Sequence, residues 1–214
     1  MNDDLVHRRI TYSRHTLDVA DVAGDPFAQF ASWLDEAARA GIAEPGAMTL
    51  ASADERGHPS ARIVLLRGVD ARGMVFFTNY TSRKGREFAA NPHAALLWYW
   101  APLERQIRVE GAVAMLDAAE SDAYFAQRPR EHRLGAWASP QSAVIPDRVD
   151  IDARMERYAA SFADSDVPRP PHWGGYRVAP SRFEFWQGRP NRMHDRIVYR
   201  RVENGTWLIE RLAP

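Results

Sequence analysis

The sequence predicts a mainly β fold with packed helices, an α+β arrangement built on an antiparallel meander or barrel. Two observations carry the prediction. Short apolar or alternating runs follow one another closely between residues 47 and 116, separated by turn signals such as "DERGHP" and "DARG". Strand-like runs then resume after the Pro-rich "VPRPPHWGG", so the helical stretch between them reads as an insert packed on one sheet system.

In chain order, "DPFAQFASWLDEAARAG" opens with Asp25 as N-cap and Pro26 at the first helical position. It repeats Phe27, Phe30, Trp33, Leu34 and Ala37 at helical spacing and stops at Gly41. The runs "AMTLASAD", "SARIVLLRGVD", "GMVFFTN", "AALLWYWA" and "RQIRVEGAVAML" read as strands. "TSRKGREFAANP" reads as a short helix ended by Asn91 and Pro92. Residues 117–165 read as two helical pieces, "DAAESDAYFAQRP" and "DRVDIDARMERYAASFAD", joined by a loop containing "ASPQSAVIP". "YRVAPSRFEFWQG", "DRIVYRRVEN" and "WLIERLAP" return the chain to strands. The expected organisation is a flexible N-terminal segment, residues 1–24, and a single domain over residues 25–214.

Composition narrows the function classes. A chain of 214 residues with 45% hydrophobic residues is long enough for a real core. Its formal net charge is zero, so no global field would hold it on nucleic acid or an anionic membrane, and neither is expected as a partner. Any anion must be bound locally. Cysteine is absent, which excludes disulfides, thiolate metal sites and cysteine nucleophiles. No apolar run approaches the roughly 18 residues of a membrane span, and a cytoplasmic location follows by elimination. Of 28 basic residues only Lys84 is lysine, so Schiff-base chemistry would have that residue alone.

Several clusters could carry chemistry. Arg62 and Arg67 bracket the apolar run Ile63, Val64, Leu65 and Leu66, and stand either at the rim of a site or at two solvated strand ends. In "TNYTSRKGRE", Thr78, Ser82, Arg83 and Lys84 join hydroxyls, cations and a helix start. That set suits a phosphate, although a basic helix start on the surface has the same composition. Gln106 heads a strand, where its amide could serve a heterocycle. Tyr124, Arg128, Arg130, His132 and Arg133 crowd "YFAQRPREHRLGAW", as a second anion site or as arginines on a helix face. "EFWQGRPNRMHDR" sets Trp186, Arg192, His194 and Arg196 within eleven residues, at a spacing that would project them from one side of an extended segment. His194 has no HxxxH or HxH partner, so no metal is expected.

"RIVLLR", "FFTNYTSRKG", "LERQIRVEG", "YFAQRPREHRLGAWASPQS", "WGGYRV", "EFWQGRPNRMHDR" and "ERLAP" occur in order and together resemble the pyridoxine (pyridoxamine) 5′-phosphate oxidase family. The resemblance implies an FMN-binding split β-barrel, a homodimer with FMN at the subunit interface. It implies oxidation of pyridoxamine or pyridoxine 5′-phosphate to pyridoxal 5′-phosphate, with O2 as acceptor. Arg62 to Arg67, Phe77, Thr78, Arg83, Lys84, Gln106, Gln141, Ser142, Trp186 and Arg196 fall where the family holds FMN. Arg67, Tyr124, Arg128 and His132 fall where it holds the substrate phosphate. Arg192, Met193 and His194 fall at the pyridine ring, with catalytic roles implied for Arg192 and His194, and Arg9 and Tyr12 in a lid segment. Three positions depart from the family pattern: Arg67 for lysine, His132 for serine, and Ile10 for a second arginine. Alternatives are a related flavin oxidase of phenazine-type biosynthesis and a non-catalytic carrier of FMN or pyridoxal phosphate.

Overall fold

Asp25 starts the first helix as its sequence requires. In the computed structural model, which describes residues 10–214, α1 spans Pro26–Arg39. The Asp25 carboxylate accepts the N–H groups of Phe27 and Ala28, a cap contributing about 1 kcal/mol. Gly41 then ends the run with a φ of 77°. Strands β1 (Ala47–Ala53), β2 (Pro59–Leu65), β3 (Gly68–Asp70) and β4 (Gly73–Asn79) lead to α2 (Arg83–Ala90), whose N-cap is Ser82. β5 (His93–Trp100) and β6 (Arg105–Met115) precede α3 (Ala118–Ala126), α4 (Arg130–Ala138) and α5 (Arg148–Ser161). β7 (Trp173–Gln187), β8 (Asp195–Arg201) and β9 (Trp207–Leu212) complete the chain. Hydrogen bonding orders the sheet β2-β1-β5-β6-β7-β4-β3, with β8 on β7 and β9 on β8. Among the described residues no helix is long and apolar enough to cross a membrane.

The expected segmentation differs in four places. "SARIVLLRGVD" is two strands, broken at Leu66 and Arg67. The stretch 117–165 holds three helices. Pro129 closes α3 and opens α4, its carbonyl accepting the N–H groups of His132 (2.9 Å) and Arg133 (3.1 Å). β7 begins at Trp173 and passes through Pro180, where its pairing changes: Trp173–Val178 pair with β4 and Arg182–Gln187 with β8. A proline lacking its N–H sits there at little cost. Residues 184–196 are a strand, a 3-10 turn at Pro190–Arg192 and a second strand, so they form a hairpin and not one extended segment.

The chain divides into two compact units. One comprises the N-terminal residues to Met48, Leu96–Glu110 and Pro180–Pro214. Its core sets α1 on strand aromatics: Phe30 lies 4.9 Å from Trp98 and Trp33 5.3 Å from Phe185, ring centre to ring centre. Full burial of such a ring contributes roughly 2–3 kcal/mol. Arg105 lies 4.3 Å over Trp33 and pairs with Glu36 at 2.6 Å and Gln187 at 2.9 Å. The other unit comprises Thr49–Ala95 and Gly111–Ala179. Phe76 and Phe88 pack on Tyr176 there, at 5.8 and 5.2 Å. Gly85 lets the first turn of α2 lie against the Tyr80 carbonyl, where any Cβ would collide.

Candidate functional site

The second unit contains a cavity of about 850 Å³. Arg62, Arg67, Lys84 and Arg128 line it, with His132 beside them and, among the described residues, no carboxylate. β2 presents Arg62. Its Nη1 donates to the Leu50 carbonyl (3.2 Å) and Ser52 Oγ (2.6 Å), and its Nη2 to Ser60 Oγ and to Glu87 Oε2 (3.4 Å). The first turn of α2 presents Lys84, whose Nζ donates to Thr78 Oγ1 (3.1 Å), Ser82 Oγ (3.3 Å) and Gln141 Oε1 (2.9 Å). Burial first, and then the charge of Arg62, pull the Lys84 ammonium down to about 8. Thr78 also donates to Gln141 Oε1, at 3.1 Å.

The far wall is aromatic. Phe77 stacks on Tyr124 at 3.7 Å with 8° between planes, and on Trp173 at 5.6 Å. The Arg128 guanidinium lies 4.5 Å over Trp173, and its buried Nη1 has no hydrogen-bond partner among the described residues. An orphaned, buried guanidinium N–H in a cavity of cations is a donor set that fits a phosphate. Burial, with a smaller contribution from the charge of Arg67, draws Arg128 below the usual arginine value.

The first unit contains a second cavity, about 770 Å³, lined by Ile10, Thr11, Tyr12, Trp186, Arg189, Asn191, Arg192 and His194. The His194 ring lies 4.6 Å from that of Trp186, and Tyr12 meets both edge-on at 5.8 and 5.7 Å. His194 Nδ1 accepts the Arg189 backbone N–H at 3.1 Å, which puts the proton of a neutral ring on Nε2. Burial and the charge of Arg192 lower the His194 pKa, so the neutral form prevails at physiological pH. Asn191 and Arg192 both take left-handed backbone, with φ of 56° and 62°. Such strain in non-glycine residues is characteristic of sites.

The structure thus brings together Arg62, Ile63, Val64, Leu65, Arg67, Phe77, Thr78, Lys84, Tyr124, Arg128, His132 and Gln141 in one cavity, and Tyr12, Trp186, Arg192 and His194 in the other. Ser82 lies beneath Lys84 as the helix cap, and Ser142 follows Gln141 with a φ of 72°. Arg83 does not line the first cavity; its Nε donates to Glu87 at 2.8 Å on the solvent side. Leu66, Gln106, Met193 and Arg196 line neither. Arg196 is paired instead with the buried Glu184 at 2.9 Å. Arg9 lies outside the described residues. Sequence reasoning missed Gln127, Pro129 and Trp173 as lining residues of the first cavity, and Ile10, Thr11, Arg189 and Asn191 of the second.

Known proteins give the same outline. The family model described as pyridoxamine 5′-phosphate oxidase matches residues 34–162. A second, described as pyridoxine 5′-phosphate oxidase C-terminal dimerisation region, matches residues 173–214. The chain belongs to the pyridoxamine 5′-phosphate oxidase family. A relative named pyridoxine/pyridoxamine 5′-phosphate oxidase 1, from Ralstonia nicotianae, is 59% identical over 96% of this chain and 97% of its own. A Burkholderia multivorans relative named pyridoxine/pyridoxamine 5′-phosphate oxidase is 58% identical over 98% and 99%. Among solved structures, PhzG from Burkholderia lata 383, in complex with tetrahydrophenazine-1-carboxylic acid, is 33% identical over 94% of this chain and all of that one, with a TM-score of 0.86. A Nostoc punctiforme protein at 18% identity and a TM-score of 0.71 shares the fold. That fold is an α+β split barrel, and the chain is an oxidase of the pyridoxamine 5′-phosphate oxidase family.

Proposed function

We propose that this protein is a cytoplasmic, FMN-dependent oxidase that converts pyridoxamine 5′-phosphate and pyridoxine 5′-phosphate to pyridoxal 5′-phosphate, with O2 as electron acceptor. The products besides the aldehyde are H2O2 and, from the amine, ammonia. The observation that carries the reading is the cavity lined by four cations and, among the described residues, no carboxylate. Both the cofactor and these substrates are phosphate esters, and each phosphate carries about −1.5 to −2 at neutral pH. Arg62, Lys84, Thr78 and Gln141 would hold the FMN phosphate, with Ser82, Arg83 and Ser142 around it. Arg67, Tyr124, Arg128 and His132 would hold the substrate phosphate. Gln106, Trp186 and Arg196 complete the flavin contacts, in a homodimer with FMN between its subunits and residues 25–214 acting as one domain.

FMN, when bound, would supply two-electron acceptor chemistry for the substrate's C4′ carbon, with O2 as the terminal acceptor. The chain's own residues orient and neutralise. Arg192 and His194, with Tyr12 and Met193, would fix the pyridine ring, His194 offering an uncharged Nε2–H donor. No protein nucleophile is required. Lys84, within reach of three protein oxygens, would exchange one of them for the phosphate and serve as its ligand, not as a Schiff-base amine.

The likeness to PhzG favours one other reading, a flavin oxidase acting on a phenazine precursor. The ligand named for that structure is a carboxylic acid without a phosphate, and a cavity lined by four cations suits a phosphate dianion better than a carboxylate monoanion. Peroxide and pyridoxal 5′-phosphate released in air from pyridoxamine 5′-phosphate test the proposal. A yellow protein that releases neither from either vitamer phosphate contradicts it, and binding without turnover identifies a carrier.

A further inference from the structure

We propose that Glu87 is a positioning residue of the phosphate site: through the hydroxyls of Ser52 and Ser60 it holds the Arg62 guanidinium in place for a phosphate in the cavity. The proposal rests on assigning that cavity to the FMN phosphate. Glu87 is 5% exposed, on the face of α2 turned to β1 and β2. Its carboxylate accepts from Ser52 Oγ, from Ser60 Oγ at 2.7 and 2.8 Å, and from Arg83 Nε at 2.8 Å. Each serine is a bridge, because Arg62 Nη1 donates to Ser52 Oγ and Nη2 to Ser60 Oγ. With the Leu50 carbonyl and Glu87 Oε2, these bonds occupy both protons on each Nη. Among the described residues only Nε–H of Arg62 is left uncommitted.

A buried carboxylate would ordinarily hold its proton. Burial does push Glu87 up, but hydrogen bonds from Ser52, Ser60 and Arg83 and the charge of Arg62 outweigh it and hold the group at about 2. It is therefore ionised beside a cavity suited to a dianion, where Coulomb's law alone makes it unfavourable to the ligand. Glu87 aids binding only by fixing Arg62. The sign of its effect is diagnostic for that reason. Glu87→Gln removes a negative charge, which by field alone tightens FMN. It also turns an NH2 group toward the serines and Arg62, setting donors against donors, which by geometry loosens FMN.

The test uses the full chain freed of FMN and reads affinity for FMN and for riboflavin, which lacks the phosphate, by flavin fluorescence quenching. Glu87→Gln is expected to weaken FMN about tenfold and riboflavin by less than about twofold. In an Arg62→Ala background it is expected to add less than about twofold, since the two residues act as one unit. Equal losses for both flavins, an unchanged or tighter FMN complex, or an additive loss overturns the proposal. If Glu87→Gln does not fold, Ser60→Ala removes one bridge and should lower the FMN-to-riboflavin ratio in the same direction; an unchanged ratio overturns it. A wild-type protein that binds FMN no better than riboflavin overturns the cavity's assignment itself, and is seen before any variant is made.

Discussion

Lys84 donates to three protein oxygens and is drawn down to about 8, burial acting first and the charge of Arg62 second. A bound phosphate raises that value again. Well below pH 8 the ammonium is charged in both states, and at pH 8 half of it has lost its proton in the free protein, so FMN affinity is expected to fall by no more than about twofold from pH 7 to 8. Above it, binding must take up a proton, and affinity falls by up to about tenfold per pH unit. Fluorescence titrations from pH 7 to 10 check this, and affinity level to pH 10 contradicts it. Arg192, in left-handed backbone beside His194, gives a second expectation. Arg192→Ala should keep its FMN yet lose about two decades of kcat/KM, as when a reacting geometry is no longer enforced. Unchanged kinetics would make the turn a surface feature. The cations of the first cavity and Arg192 of the second were legible in the sequence because they stand in short clusters, while Arg189 was not. Their partners were not. Glu87 lies four residues from Arg83, but Ser52 and Ser60 reach it from two other elements, a proximity no local pattern encodes.

At the scale of elements, the β7–β8 hairpin and the segment before α1 make one structure. Glu104, at a φ of 53°, accepts the N–H groups of Ser13 and Arg14 at 2.9 and 3.0 Å, and Asp195 accepts that of Leu17 at 3.1 Å. Gly188 lets Tyr12 close over the hairpin: a Cβ there would stand 2.7 Å from Tyr12 Cγ. Gly188→Ala is therefore expected to displace the segment, with amides 13 and 14 exchanging at least about tenfold faster and the substrate KM rising. Amide exchange by NMR reads the first effect, and wild-type protection would show that the segment tolerates the change. Helix α1 was readable to its cap because cap, spacing and stop are all local. Helix α4 was not, since Pro129 reads as a break and only its carbonyl reveals a second helix start. The 15-residue β7 was obscured by Pro180, harmless only where the strand changes partner.

For the whole molecule, the sequence made the fold class legible through closely spaced strand runs, while its ordered motifs made the family legible. The division into two compact units was not, because each is assembled from separate stretches of chain. A C-terminal region matching a dimerisation model and a cofactor proposed to lie between subunits lead to one further expectation. FMN at a hundredfold excess over its Kd should stabilise the folded dimer by about 2.7 kcal/mol, raising Tm and opposing dissociation. A monomer in the ultracentrifuge with tightly bound FMN would contradict it. If a phosphorylated B6 vitamer held in the cavity of cations reduces the flavin, the phosphate must govern the reduction. Anaerobic stopped-flow mixing of the holoenzyme with pyridoxamine 5′-phosphate, and separately with unphosphorylated pyridoxamine, is the test. Rapid bleaching of the flavin by the phosphate ester is expected, with at least about a hundredfold weaker half-saturation by the free amine. A flavin that stays oxidised with the phosphate ester, or that bleaches equally with both, would contradict the proposed function.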